Sequence, residues 1–422
     1  MERLRSAFGV LLVLGIAYAL CPKDRRNRVR WRPVLAGFGV LFVFALLVLR
    51  TPVRGLFQGA NDAFEALIGY SDRGAAFVFG EKLTDPGGPG GFVFAFKILP
   101  TIVFFAALFS LLYHLRILPF IVKWMGRGLS RLLGTSGAES FSTVADVFVG
   151  QTEAPLTIQP YLKDLTKSEL NACMIAGFAT TAGGVLAAYV GMLQDFVPDV
   201  AGHFIACSVM CAPASLIVAK LMMPETETPK TAGRVQIEIP RTTENALEAL
   251  TSGTSEGLKL ALNIAAMLVV FTAVTYLLNG VLGSAFGYEE AAGGVRVANV
   301  TLQDLLAKLF WPLAWSTGVP EQDVGKVASL LGTKTVLNEF VAYEGLSRAL
   351  RADPAYLTER GRLITSYALC GFANLASIGI QIGGYAVFVP ERRAELSRLA
   401  LRAMFGGMLS TLLVACLVGV LL

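Results

Sequence analysis

Two glutamates stand in short polar motifs of an otherwise apolar chain. Glu153 lies in Gly150-Gln151-Thr152-Glu153-Ala154-Pro155, and Glu339 in Thr333-Lys334-Thr335-Val336-Leu337-Asn338-Glu339-Phe340. Each is followed by a glycine-rich stretch. The first is Gly177-Phe178-Ala179-Thr180-Thr181-Ala182-Gly183-Gly184, the second Gly371-Phe372-Ala373-Asn374-Leu375-Ala376-Ser377-Ile378-Gly379. Grouped carboxylates, amides and hydroxyls can hydrogen-bond a polar solute, or two carboxylates can work as an acid/base pair. A polar device that occurs twice in an apolar chain points to a binding site built between two repeats.

The elements that must position these residues follow from composition. Of 422 residues, 54% are hydrophobic and only 16% charged, with a mean hydropathy of +0.60. Soluble domains carry about 25% charged residues, so the expected fold is an all-α polytopic membrane protein. Apolar runs near 4–20, 34–50, 92–113, 169–192, 200–223, 257–283, 358–388 and 396–421 predict eight transmembrane helices. Amphipathic stretches at 54–68, 116–133 and 301–315 predict interfacial helices, and residues 84–91 a turn-rich loop. Six scattered cysteines and two distant histidines offer neither a disulfide framework nor a metal-ligand spacing.

Segments 138–160 and 326–349 fit no span. Each has two apolar arms broken in the middle by its polar motif, and an arm of about ten residues reaches halfway across a bilayer. Two re-entrant hairpins are therefore expected. Basic residues at 23–32, 116–131 and 392–398 place those loops in the cytoplasm and both termini outside. With that orientation the hairpins enter from opposite sides, so the two halves are inverted repeats. The expected organisation is N-terminal scaffold helices and an interfacial helix over 1–91, a first repeat over 92–223, a cytoplasmic connector over 224–256 and a second repeat over 257–421.

A phosphate-binding loop is missing from the sequence, which excludes ATP as the chain's own energy source. The two glutamates leave a membrane-embedded enzyme as a rival reading, but no His-Glu-x-x-His motif or nucleophile with a nearby base supports it. An uncoupled channel is a third reading, which the hairpins oppose.

At this point the motifs become recognisable. Gly150-Gln151-Thr152-Glu153-Ala154-Pro155-Leu156, Asn338-Glu339-Phe340-Val341-Ala342-Tyr343 and Cys370-Gly371-Phe372-Ala373-Asn374 resemble the concentrative nucleoside transporter family in its bacterial eight-helix form. The resemblance implies a homotrimer in the bacterial inner membrane that imports nucleosides with a coupling cation by an elevator motion. Its expected partners are the nucleoside and the lipid bilayer, not nucleic acid. The resemblance also implies that Gln151, Thr152 and Glu153 bind the nucleobase and that Glu339, Asn374 and Ser377 hold the ribose hydroxyls. Val185 and Phe372 would line the apolar side. A sodium site would be formed by Asp146, Val149, Thr180 and Thr181, with carbonyls from Val149 and Thr181.

Two of these positions depart from the family's pattern. Thr180 stands where serine is usual and keeps the hydroxyl. Asp146 stands where asparagine is usual and adds a charge. An aspartate here can bind sodium through a full charge, carry a proton in its place, or pair with a nearby donor and leave coupling untouched.

Overall fold

The computed structural model describes residues 1–51, 54–85, 92–233, 243–291 and 295–422. Its first helices are α1 (Glu2–Ala19), α2 (Trp31–Arg50), α3 (Arg54–Phe79), the short α4 (Glu81–Thr84), α5 (Phe94–His114) and the amphipathic α6 (Ile117–Leu133). Then comes the first hairpin: α7 (Gly137–Asp146), an irregular tip, and a 3-10 segment over Ala154–Asp164. A broken helix follows as α8 (Lys167–Ala179) and α9 (Gly183–Leu193), and then α10 (Val200–Met222).

The second half opens on α11 (Ala246–Phe286) and a β-ribbon of β1 (Tyr288–Ala291) and β2 (Val295–Ala298). Next come α12 (Leu302–Ser316) and the second hairpin, α13 (Val324–Val336) and α14 (Glu339–Ala352). A second broken helix, α15 (Glu359–Leu369) with α16 (Leu375–Ala386), leads to α17 (Arg393–Leu421).

Among the described residues, six helical stretches are long and apolar enough to cross a membrane: α2, α5, the α8–α9 pair, α10, α11 and α17. α1 and the broken pair α15–α16 supply the other two of the expected eight. Both hairpins and both helix breaks lie where the polar motifs placed them. The predicted interfacial stretches 116–133 and 301–315 coincide with α6 and α12, whereas 54–68 is the first part of the longer α3.

Other features differ from expectation. The all-α reading omitted the ribbon. Residues 86–91 of the predicted loop lie outside the described residues. The span expected at 257–283 is part of a 41-residue helix, α11. At 1.5 Å per residue that is about 60 Å, roughly twice the hydrocarbon thickness.

Local chemistry explains where the site-bearing elements begin. Ser136-Gly137-Ala138-Glu139 and Thr166-Lys167-Ser168-Glu169 are capping boxes, in which each hydroxyl accepts the third backbone N–H and each glutamate answers the cap's own N–H. The two boxes are joined, because the Ser136 hydroxyl donates to Glu169 Oε1 at 2.6 Å. Lys220 of α10 pairs with Glu139 at 2.6 Å. The base of the first hairpin is thereby fastened to the base of α8.

Inter-helix bonds sort the loops onto two faces. On one face Gly137 N–H donates to the Thr231 carbonyl at 3.2 Å, Arg392 reaches the Leu162 carbonyl at 2.9 Å, and Arg402 reaches the Leu20 carbonyl at 2.7 Å. On the other, Arg3 bonds the Leu422 carbonyl, Arg5 pairs with Glu321 at 2.6 Å, and Arg351 meets Asp195 at 3.5 Å. The first hairpin begins and ends on the first face, the second on the opposite face. The repeats are inverted.

Candidate functional site

The two broken helices meet at their breaks. In the first, Thr180 turns extended (φ −104°, ψ 170°) and Gly183 N–H donates to the Phe148 carbonyl of the hairpin tip at 3.0 Å. In the second, Gly371 adopts φ 92°, and a Cβ there would lie 2.5 Å from the Ala179 carbonyl oxygen. Only glycine fits that conformation and that approach. The Thr181 hydroxyl accepts the Gly371 N–H at 3.0 Å and lies 3.3 Å from the Cys370 thiol. One threonine ties break to break.

The ribose-side residues expected from sequence come together. Asn374 caps α16 through its Oδ1, accepting from Ser377 N–H at 2.8 Å, and its Nδ2 donates to Glu339 Oε2 at 2.6 Å. Glu339 Oε1 accepts from the Tyr189 hydroxyl at 3.1 Å. All three predicted residues are buried. Asn338 spends its side chain capping α14, accepting from Val341 N–H at 2.9 Å. A carboxylate fixed by two donors keeps lone pairs for hydroxyls of a solute.

On the base side, Gly150 turns the first tip with φ 92°, and a Cβ there would meet that of Ala182 at 2.8 Å. Gln151 is buried and its Oε1 bonds to nothing, an acceptor left open. Thr152 and Glu153 are exposed. Val185 is buried at the start of α9, and Phe372 is half-buried in the second break.

Helix α16 bridges the two clusters. Asn374, Ser377, Gln381 and Gly384 recur at helical spacing along one face. At one end Asn374 holds Glu339. At the other, a Cβ on Gly384 would sit 3.1 Å from Thr152 Cα, so the first tip lies against this glycine. The ten residue steps from Asn374 to Gly384 cover about 15 Å. Between the two ends Gln381 is wholly buried, its Nε2 donating to the Met174 carbonyl at 2.9 Å while its Oε1 has no partner.

Asp146 is 1% exposed, and neither carboxylate oxygen has a hydrogen-bond partner. It faces Gly177 of α8, where Gln381 and Gln151 also converge. A carboxylate buried without a donor is a costly arrangement that a cation relieves. Oxygen donors suit a hard cation, so the residues present fit one. Of the other three expected ligands, Thr180 donates its hydroxyl to the Ala176 carbonyl at 2.9 Å, Thr181 commits its hydroxyl to the second break, and Val149 sits half-buried at the tip.

Sequence reasoning missed Tyr189, Gln381 and Lys334. Lys334 belongs to the quoted motif and was a visible signal. Tyr189 lies 150 positions from Glu339, and nothing local marks it.

Family models for the Na+ dependent nucleoside transporter match at residues 8–82 (N-terminus) and 203–419 (C-terminus), and a nucleoside recognition (gate) model matches 95–196. An uncharacterized transporter of Haemophilus influenzae is 41% identical, with 99% of this chain and 98% of that one covered. Mouse solute carrier family 28 member 3 is 39% identical over 98% of this chain, and rat sodium/nucleoside cotransporter 2 is 36% identical over 100%. This chain spans only 58% and 63% of those two mammalian proteins. Among solved structures, CNTnw in an inward-facing substrate-bound state superposes with a TM-score of 0.89 at 38% identity, covering 99% of this chain and 98% of that one. A CNTnw variant in an outward-facing state gives 0.91 at 38% identity, covering 100% and 99%. Two inverted hairpins, two interlocked helix breaks and a shared polar face thus belong to a known kind of transporter, not an enzyme, and the chain is a member of the concentrative nucleoside transporter family.

Proposed function

We propose that the protein is a nucleoside importer of the bacterial cytoplasmic membrane, driven by a coupling cation, with sodium favoured. The observation that carries this is the pairing of the two clusters along α16. An acceptor-rich end at Gln151 and Thr152 suits a nucleobase edge, and a fixed carboxylate at Glu339 suits ribose hydroxyls. The orphaned Asp146 carboxylate beside them supports a cation as co-substrate, and it equally suits a proton. That second reading stays beside sodium because aspartate, unlike asparagine, can carry one.

An elevator motion within a homotrimer is part of the same proposal. It is supported by the two hairpins entering from opposite faces and by a pair of helices, α5 and α11, whose apolar windows are largely exposed. CNTnw has inward-facing, intermediate and outward-facing states, which is consistent with such a cycle. The basic loops support an orientation with the face carrying Leu20, Met222 and Arg402 in the cytoplasm and the termini outside.

Uridine and adenosine uptake into proteoliposomes tests the proposal, with sodium and proton gradients imposed separately. Accumulation above equilibrium under at least one gradient is the expected result. Uptake that only equilibrates would leave a passive pathway instead.

Gly384→Val is a second test. The added Cβ meets backbone of the first tip, and overpacking of this kind costs about 1–3 kcal/mol, so uptake is expected to fall about tenfold while the protein still elutes as a folded species. Uptake within twofold of the wild type would detach the tip from α16.

A further inference from the structure

Lys334 sits in the last turn of α13, within the second hairpin, and is 1% exposed. Its ammonium donates to the Ala368 carbonyl at 3.0 Å, the Cys370 carbonyl at 2.8 Å and the Thr411 hydroxyl at 3.4 Å. Those bonds use all three donors of the side chain, and none of the accepting oxygens carries a full charge. Holding a lysine at membrane depth costs about 2.5–3.5 kcal/mol even on a lenient scale. A leucine or methionine would fill the space without burying a charge, but would leave the Ala368 and Cys370 carbonyls without this donor. The charge therefore needs a use.

Its surroundings supply one. Ala368 and Cys370 lie at the C-terminal end of the half-helix α15, where unpaired carbonyls and the helix dipole present negative potential. In membrane transporters, the C-terminal ends of half-helices and unwound carbonyls are where a cation is coordinated. The inverted halves handle this need in opposite ways. The first break faces Asp146, a carboxyl group with no hydrogen-bond partner, and the second faces Lys334, an ammonium whose hydrogen-bond partners are all carbonyl or hydroxyl oxygens.

We propose that Lys334 is a tethered cation, its ammonium filling at the second break the place that an exchangeable coupling ion fills at the first. It holds the turn from Cys370 to Asn374 in the conformation that lets Asn374 reach Glu339, and it frees the second half from any ion in solution. Lys334 is on this view a positioning residue for the ribose side of the site. The inference rests on the cation-coupled reading of the first half. The two fail differently, since that reading falls if wild-type protein never accumulates nucleoside, whatever Lys334 does.

The test compares Lys334→Met, Lys334→Arg and Lys334→Ala in the proteoliposome uptake assay, with folding followed by gel filtration and thermal melting. Lys334→Met removes the charge at similar volume and is expected to lose about tenfold or more of nucleoside uptake, the effect of breaking charge-assisted bonds in a buried site. Lys334→Arg keeps the charge and is expected to retain most of it. Lys334→Ala leaves a cavity lined by two carbonyls and a hydroxyl, so added methylammonium should raise its uptake severalfold and leave Lys334→Met unmoved. A purely structural plug would show no such rescue. Wild-type uptake in Lys334→Met overturns the proposal, as does a folded Lys334→Arg no better than Lys334→Met. If Lys334→Ala folds, indifference to methylammonium overturns it too; if it does not fold, the Met and Arg variants decide.

Discussion

Glu339→Gln is expected to lower uridine uptake by about two orders of magnitude in kcat/KM while leaving the fold intact. The carboxylate accepts from Tyr189 at one oxygen and from Asn374 at the other. Glutamine has one acceptor oxygen, so one of these buried donors would face an amide NH2. An unsatisfied buried donor costs about 1–3 kcal/mol, and losing a charge-assisted bond to a ribose hydroxyl removes about 1.5–3 more. Even the lower ends sum to nearly a hundredfold. A substrate control separates binding from general damage. Wild-type protein should discriminate strongly against 2′,3′-dideoxyuridine, and the variant should discriminate little. Uridine uptake within threefold of wild type would remove Glu339 from the ribose.

Asp146→Asn is expected to change the cation dependence while sparing the nucleoside contacts. A unit charge about 4 Å from a bound cation contributes about 4 kcal/mol at an effective dielectric near 20. If an amide dipole recovers half of that, the loss of about 2 kcal/mol is more than tenfold in cation affinity. Should sodium be the ion, the sodium concentration for half-maximal uptake rises by that factor. Should it be a proton, the variant loses its response to an imposed pH gradient. Sodium and pH responses both unchanged from wild type would place Asp146 outside the coupling site.

Much of this was legible in the chain because its signals are local. A polar motif between two ten-residue apolar arms has few solutions in a bilayer, and the hairpins followed. Glycine with threonine or asparagine in mid-span marked both breaks, and Asn374 and Ser377 were recognisable in their motif. What escaped depends on elements far apart in sequence. Tyr189 reads as an ordinary apolar residue of α9 until α14 brings Glu339 beneath its hydroxyl. Gln381 is one amide on a glycine-rich helix, and only the approach of α8 gives its Nε2 a carbonyl. Lys334 was visible, but its partners come from α15 and α17. The 3-10 geometry of the first hairpin's return arm and the β-ribbon left no periodicity that a search for spans would register.

The knot between the two breaks reverses a usual relation between order and regularity. Irregular backbone elsewhere is where amides open first. Here Gly183 N–H is held by the Phe148 carbonyl and Gly371 N–H by the Thr181 hydroxyl, and both glycines are buried. These non-helical amides should be among the slowest to exchange with deuterium, slower than the ends of the regular helix α11. An irregular part of the molecule then serves as a stiff one, a pivot about which the flanking half-helices keep their mutual angle.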